Sequence, residues 1–180
     1  MSVIFRKYNI DLQNAEGEAL FNDDYYSLRN FLIKLDSSTY HYGRWDWMIT
    51  HGYLDPTGLP HIGLWEDNGE IVAAATYDCG LGTAFLLMLP EYQYLGEEVL
   101  LYAKSALAKD GKFKAVINDD DSKMQDIAVR NGFRATESKE NDAVYPIPSN
   151  LNDIKYSLPE GFTTTSMADT YDLYKYGEVL

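Results

Sequence analysis

Cysteine is almost absent from this sequence of 180 residues, in which Cys79 is the single example. One cysteine can form no internal disulfide, and it cannot build a cysteine-cluster metal site. The apolar flank of Cys79 predicts a buried, unreactive thiol rather than a nucleophile.

Long apolar runs are also missing. The two longest cover residues 71–76 and 84–89, far short of the roughly 20 residues that a membrane-spanning helix needs. The first residues, Met1 to Lys7, lack the apolar core and small-residue cleavage site of a secretory signal. We therefore expect no membrane span and a cytoplasmic location.

Basic residues are scarce, since 15 lysines and arginines stand against 28 aspartates and glutamates, a formal net charge of -13. This is the wrong sign for binding nucleic acid or an anionic membrane surface, so we expect neither as a partner. Hydrophobic residues nevertheless make up 46% of the chain, enough for a folded core. The length predicts one ordinary domain and at most a fragment of a second.

The hydrophobic periodicity predicts a chain that mixes strands and helices. The expected elements are, in order, a strand around Val3 and Phe5, helices over residues 22–35 and 42–48, strands over 61–66, 70–77 and 83–89, a helix over 95–109, a strand over 113–117, a helix over 119–131, and strands over 133–137 and 143–147.

Turn residues and connection lengths indicate how the strands pair. Asn68-Gly69 favours a tight hairpin turn, because both residues tolerate positive φ angles, and Gly80 to Gly82 predicts a second turn. Pro90 ends the third strand of this meander. The helix after Pro90 is long enough for a crossover, so we expect the strands on either side of it to run parallel.

This order is similar to that of the GNAT superfamily of acetyl-CoA-dependent N-acetyltransferases. Residues 87–96, with Pro90-Glu91-Tyr92, resemble the family's strand and phosphate loop, and residues 121–133 resemble its helix ending in Asn-Gly-Phe. The resemblance implies an α/β (α+β) fold: a GNAT-like mixed, mostly antiparallel sheet flanked by helices, splayed after the strand that ends at Leu89.

Three further stretches resemble a bacterial subgroup that carries two GNAT domains in one chain: residues 44–48, 62–72 and 157–162. The implied organisation is a GNAT-like domain over residues 1–148, followed over 149–180 by a linker and the first strand and helix of an incomplete second domain. The apolar stripe of that last segment makes a homodimer through residues 151–180 a further expectation.

The resemblance also implies an activity, the transfer of acetyl from acetyl-CoA to the amine of a small molecule or a protein. Backbone amides at the start of a helix would hold the coenzyme A pyrophosphate. The residues that match the family's cofactor-binding positions are Leu87, Leu89, Gln93, Leu95 and Gly96.

Two positions depart from the family pattern. The final small residue of the phosphate loop is replaced by Glu98, after Glu97, and two carboxylates beside two phosphates would weaken cofactor binding. Alternatively, both glutamates simply stabilise the start of the helix. The family's catalytic tyrosine position holds Ala128, and its asparagine position holds Asp121.

No catalytic residue is therefore assigned. Tyr92, Tyr94 and Tyr102 are near enough in sequence to replace the missing tyrosine, but in a chain with 15 tyrosines packing is the more ordinary role. The remaining candidates are expected to be structural: turn histidines, a helix cap and core aromatics rather than a metal or ligand site. They are His41, His51 and His61, Asp119 to Asp121, and Trp45, Trp47 and Trp65.

Two functions remain open. The first is an acetyl-CoA-dependent N-acetyltransferase whose cofactor loop is degenerate. The second is a non-catalytic GNAT-like module that packs on, or shapes the site of, a second catalytic domain.

Overall fold

Residues 2–13, 17–139 and 157–163 are described by the computed structural model. The chain forms two compact units, Met1–Asp142 and Ala143–Leu180. Of the second unit, residues 157–163 are described; they contain a turn in which the Phe162 N–H donates to the carbonyl of Pro159. The expected strand over 143–147 and the domain boundary after 148 lie outside the described residues.

The described part of the first unit is built on a five-stranded sheet in which the strands lie side by side in chain order. The first four strands are antiparallel to one another in succession, and the fifth runs parallel to the fourth. The expected mixed, mostly antiparallel sheet is therefore confirmed. The strands are β1 (Ile4–Lys7), β2 (Gly63–Asp67), β3 (Glu70–Asp78), β4 (Gly80–Met88) and β5 (Lys114–Val116).

Four α-helices flank this sheet within the described residues: α1 (Asp23–Leu35), α2 (Tyr42–Thr50), α3 (Gly96–Ala106) and α4 (Ser122–Arg130). The Asn22 side chain accepts the Tyr25 N–H at the start of α1, and that of Asp121 accepts the Met124 N–H at the start of α4. Each helix thus has a side-chain cap for a backbone N–H that the helix leaves unpaired. Helix α1 begins where the sequence predicts, whereas α4 begins at Ser122, three residues after the predicted start.

The hairpin between β2 and β3 turns at Asn68 and Gly69, whose φ angles are 53° and 81°. These positive angles belong to the tight turn that the Asn-Gly pair predicts. The next turn comes earlier than the predicted turn at Gly80 to Gly82. Cys79 takes the left-handed conformation and β4 already begins at Gly80. Asp78 pairs directly with Gly80, so the glycines belong to the strand.

The connection from β4 to β5 differs from the prediction. A 3₁₀ helix over Pro90–Leu95 precedes α3, and α3 ends at Ala106 rather than Lys109. The backbone carbonyl of Leu107 accepts the N–H of Gly82, which draws the chain out of the helix and back to the sheet. Asp110 and Gly111, with positive φ, form the turn that follows.

The predicted strand over 133–137 is wrong, since residues 133–139 form no strand. The half-buried Phe133 packs its ring against Phe113, with centroids 5.9 Å apart. Its backbone N–H bonds to the carbonyl of Ala128. Residues 134–139 are all exposed, so this stretch has too little apolar surface to hold it against the sheet.

The core lies on both faces of the sheet. Every residue of β3 from Ile71 to Tyr77 is buried, and both α1 and α3 pack on this strand. Neighbouring residues of a strand face opposite sides. On β4, the Phe85 ring packs at a tilt against Tyr40 in the α1–α2 link, whereas Leu86 packs beneath α4. No helix among the described residues has the length and apolar character to cross a membrane.

Candidate functional site

The parallel ladder between β4 and β5 is short. It joins Thr83 to Lys114, Ala84 to Ala115 and Phe85 to Val116, and then ends. Strand β4 continues to Met88, still paired with β3 on its other side. Beyond Phe85 the two strands separate, and within the described residues the edge of β4 from Leu86 to Met88 has no strand opposite it. The expected splay is present, three residues before the end of β4.

A cavity of about 120 Å³ occupies the gap between the separating strands; we call it the splay cavity. Its walls come from β4 and β5, from the link after α1, from the 3₁₀ helix and from the start of α4. The lining residues are Leu35, Ser37, Thr39, Leu86, Leu87, Met88, Gln93, Val116, Ile117, Asn118, Asp121 and Met124.

The splay cavity passes through the plane of the sheet. Ser37 and Thr39 lie in the α1–α2 link, on one face, whereas Met124 belongs to α4 on the other. The successive strand residues Leu86 and Leu87 both line it, although their side chains point to opposite faces. The lining of this one cavity therefore includes residues from both faces of the sheet.

A hydrogen bond spans the polar rim of the cavity, from Thr39 Oγ1 to Asn118 Oδ1, 2.5 Å apart. Asp121 Oδ1 caps α4 by accepting the Met124 N–H at 2.9 Å, so the run Asp119 to Asp121 is the predicted helix cap. Among the described lining residues, Asp121 is the one ionisable side chain. The cavity thus offers hydroxyl and amide groups, but no histidine, lysine or tyrosine for proton transfer.

The structure places two of the five expected cofactor residues at the splay cavity and the other three elsewhere. Leu87 and Gln93 line the splay cavity. Leu89 and Leu95 are core residues, 3% and 6% exposed. Gly96 begins α3, where an added Cβ would lie 3.0 Å from Ile127 Cδ1, so its lack of a side chain permits close packing of α3 on α4.

The expected phosphate loop is helical. The Gly96 N–H donates to the carbonyl of Gln93, so this amide is already satisfied. Glu98 Oε1 accepts the indole N–H of Trp65 at 2.7 Å, and Glu97 Oε1 accepts from Asn131 Nδ2 at 2.9 Å. Both glutamates therefore have protein hydrogen-bond partners.

None of the three candidate tyrosines is among the residues that line the splay cavity. The hydroxyl of Tyr92 donates to Asp67 Oδ2 at 2.7 Å, and this hydrogen bond raises the pKa of Tyr92 to about 12. The hydroxyl of Tyr102 donates to the carbonyl of His61, and burial raises the pKa of Tyr102 to about 12. The third candidate, Tyr94, is exposed. Ala128, at the family's tyrosine position, is a buried residue of α4 and packs in one cluster with Leu100 of α3.

The histidines have the turn roles that the sequence predicts. His41 Nδ1 accepts the Gly43 N–H at the start of α2, and His51 Nδ1 accepts the Tyr53 N–H after its end; His61 ends a 3₁₀ helix. Within the described part of the chain, no three histidine, cysteine or acidic side chains group as metal ligands do. Trp45 and Trp65 are core residues, but Trp47 is 48% exposed.

Cys79 is less buried than predicted, because it forms the turn before β4. Burial and the neighbouring Asp78 carboxylate both raise the pKa of the thiol. A raised pKa disfavours the thiolate, the reactive form, so the expectation of an unreactive thiol still follows from the structure.

No protein-family model matches this chain, and no curated protein matches its sequence. Solved structures do. The PaiA N-acetyltransferase of Thermoplasma acidophilum, in complex with coenzyme A, is 17% identical with a TM-score of 0.46, over 77% of this chain and 94% of that chain.

Two more acetyltransferase structures are similar. A probable acetyltransferase from meticillin-resistant Staphylococcus aureus is 16% identical (TM-score 0.42; 80% of this chain, 100% of that chain). AAC(6')-Iy, in complex with a bisubstrate analogue of CoA and acetylneamine, is 12% identical (TM-score 0.41; 81% and 100%). Similarities at this level concern the course of the chain and not its chemistry.

Proposed function

We propose that this chain is a GNAT-type N-acetyltransferase domain in which the splay cavity receives the acyl end of acetyl-CoA. The observation that carries the proposal is the unpaired edge of β4 from Leu86 to Met88. An unpaired strand edge presents N–H and C=O groups to any extended chain that lies along it. The pantetheine arm of coenzyme A is such a chain, because it contains two amides.

The size of the splay cavity limits what enters it. Sites that enclose a whole drug-sized ligand have volumes of roughly 300–1,000 Å³, whereas this one has about 120 Å³. It therefore suits an acyl group and the adjoining thioester, with the rest of the cofactor outside. Met88 and Met124 supply adaptable apolar walls for that end.

The amine acceptor would enter from the opposite face, beside Ser37 and Thr39. Its nitrogen attacks the thioester carbonyl carbon, the C–S bond breaks, and the thiolate takes up the proton that the amine releases. Asp121, the one ionisable side chain of the described lining, caps α4, so the rate would come mainly from proximity and orientation. A protonated amine must lose its proton to water first, so activity should increase with pH.

A second candidate is the non-catalytic module, which packs on or shapes a neighbouring catalytic domain. Ala128 in place of the family's tyrosine and the satisfied Gly96 N–H favour it, and so does the charge of Glu97 and Glu98. On this proposal, residues 149–180 begin the second domain, and the protein associates through residues 151–180. Limited proteolysis that cuts between 148 and 160 would support it, whereas resistance in a strictly monomeric sample would contradict it.

Calorimetric titration with acetyl-CoA tests the first candidate. Ser37→Trp places an indole in the splay cavity, and Ser38→Trp is the matched control, because Ser38 is exposed and is not part of the lining. We expect the native chain to bind with Kd weaker than about 1 µM, Ser37→Trp to lose binding, and Ser38→Trp to retain it.

Thiol release with a panel of amines then separates the two functions. Release that depends on both the amine and an open cavity supports the enzyme. Binding without release supports the module. If the native chain is folded but does not bind acetyl-CoA, or if both tryptophan variants bind as it does, the acyl end does not lie in the splay cavity.

A further inference from the structure

Among the described residues of this acidic chain, five cations without an ion-pair partner lie around the start of β5 and the residues that follow α4. In the N-terminal half, Arg6, Arg29, Lys34 and Arg44 each form an ion pair with a carboxylate. Around the start of β5, by contrast, the cations have no such carboxylate partner within the described residues. Among the described residues, no ion-pair partner is present for Lys104, Lys109, Lys112, Lys114 and Arg134.

Two of these cations line a second cavity of about 520 Å³, which we call the basic cleft. Lys104 lies in the last turn of α3, and Arg134 follows α4. Gly111, Phe113, Gly132 and Phe133 line the cleft between them. Lys109 and Lys112 flank the turn at Gly111, and a single carboxylate, Asp110, shares that turn.

The floor of the cleft is aromatic. The rings of Phe113 and Phe133 pack edge to face, with centroids 5.9 Å apart and an interplanar angle of 76°. Lys104 Nζ lies 5.4 Å from the centroid of the Phe133 ring, so a positive charge and an apolar ring occupy the same wall. A side chain added at Gly111 or Gly132 would meet no atom within 4 Å, so the space beside both glycines is open.

The basic cleft is separate from the splay cavity, because the two share no lining residue. Gly96 and Lys104 lie at opposite ends of α3, about 12 Å apart along the helix axis at 1.5 Å per residue. A ligand in the cleft would therefore leave the start of α3 free.

We propose that the basic cleft binds a nucleotide, with the base against Phe113 and Phe133 and the phosphates between Lys104 and Arg134. Aromatic side chains stack on any nucleobase, and lysine and arginine are the usual phosphate ligands. Inorganic phosphate would use the cations and leave the apolar floor exposed. A long nucleic acid would extend beyond the local positive field, which salt screens within about 8–10 Å, into a surface of net charge -13.

Three probes separate the parts of this recognition: ADP, adenosine and inorganic phosphate, each titrated into the full chain by calorimetry. ADP should bind at least about tenfold more tightly than either of the others, because it alone combines a base with a phosphate chain. Raising the salt concentration should weaken the binding of ADP and leave the binding of adenosine unchanged.

Lys104→Ala and Arg134→Ala should each weaken ADP binding by about tenfold. The matched controls are Lys123→Ala and Arg130→Ala, which remove exposed cations of α4 that lie outside the cleft lining and should bind ADP as the native chain does. All four positions are exposed, so the variants should remain folded, which thermal melting checks.

Ser37→Trp keeps this inference independent of the proposed function, since acetyl-CoA also carries an adenosine phosphate. The variant should lose the acetyl-CoA binding that excess ADP does not displace, which belongs to the splay cavity, but it should retain ADP binding in the basic cleft. The proposal is overturned if ADP does not bind, if phosphate alone binds as tightly, if the control variants lose as much affinity, or if Ser37→Trp abolishes ADP binding.

Discussion

The indole N–H of Trp65 on β2 donates a hydrogen bond to Glu98 Oε1, 2.7 Å away, and this bond ties the first turn of α3 to the sheet. Trp65 is 1% exposed, so its N–H depends on this acceptor. One turn further along α3, Tyr102 packs edge-on against the same indole. Glu98, which departs from the family pattern of the phosphate loop, thus helps to hold α3 against the sheet.

Replacing Glu98 tests this attachment. Glu98→Ala leaves the indole N–H of Trp65 without a partner and should lower the free energy of unfolding by about 1–3 kcal/mol. Glu98→Gln keeps an acceptor oxygen and should retain most of that stability. Glu97→Ala is the comparison, because its hydrogen bond to Asn131, the residue that follows α4, is exposed and the loss should stay below about 0.5 kcal/mol.

Urea unfolding at neutral pH measures these differences. Equal losses for Glu98→Ala and Glu98→Gln would mean that the carboxylate charge, and not the hydrogen bond to Trp65, stabilises the first turn.

The charges of the same two residues are predicted to oppose cofactor binding. The double substitution Glu97→Gln, Glu98→Gln removes both charges and retains side-chain oxygens for Asn131 and Trp65. If the coenzyme A phosphates approach the start of α3, affinity should rise by about thirtyfold, since each of the two solvated like-charge contacts costs roughly 1 kcal/mol.

Calorimetry at low and high salt checks this prediction, because screening should shrink the gain. Glu91→Gln is the control for a general change in net charge, since Glu91 is exposed in the preceding 3₁₀ helix. An equal gain from Glu91→Gln would show that the effect is not local to the start of α3.

Local signals predicted most of the fold. Asn22 marks the start of α1 and Asn68-Gly69 the first hairpin, because each satisfies a backbone requirement within a few residues. The strand over 133–137 could not be judged in that way. Whether an apolar alternation becomes a strand depends on a partner and on buried area, and Phe133 packs on Phe113 instead.

The candidate site was only partly predictable for a related reason. Leu87 and Gln93 follow from one continuous stretch, and both line the splay cavity. Thr39 and Asn118, which hydrogen bond across its rim, are 79 positions apart. No spacing rule connects two loops at that distance, so only the folded chain brings them together.

The two strand-opening glycines differ in what surrounds them, and alanine should distinguish them. At Gly63, the first residue of β2, an added Cβ would overlap the Tyr102 ring and lie 3.1 Å from Trp65 Cζ3. Gly63→Ala should therefore lower the free energy of unfolding by about 1–3 kcal/mol through overpacking.

At Gly80, the first residue of β4, an added Cβ would meet no atom within 4 Å. Gly80→Ala should leave stability unchanged or raise it by up to about 1 kcal/mol, since alanine reduces the entropy of the unfolded chain. Denaturant unfolding of both variants is the measurement. A Gly63→Ala protein as stable as Gly80→Ala would mean that the Tyr102 ring moves aside without cost.

Tyr102 also predicts how stability depends on alkaline pH. Burial raises its pKa to about 12 in the folded protein, from about 10 in the unfolded chain. Between these values the folded state holds the proton more tightly than the unfolded state. The free energy of unfolding should therefore be constant up to about pH 10 and fall as the pH rises towards 12. Tyr25 and Tyr92, with pKa values raised in the same direction, steepen this fall.

Tyr102→Phe separates the two contributions of the hydroxyl. Losing its hydrogen bond to the His61 carbonyl should lower the free energy of unfolding by about 1 kcal/mol at neutral pH. Because phenylalanine cannot ionise, the decrease above pH 10 should be shallower than in the native chain. Urea unfolding repeated from pH 7 to 12 gives both quantities. An unchanged alkaline slope in the variant would mean that the Tyr102 hydroxyl ionises as easily in the folded protein as in the unfolded one, so that burial by α3 and β2 does not protect it.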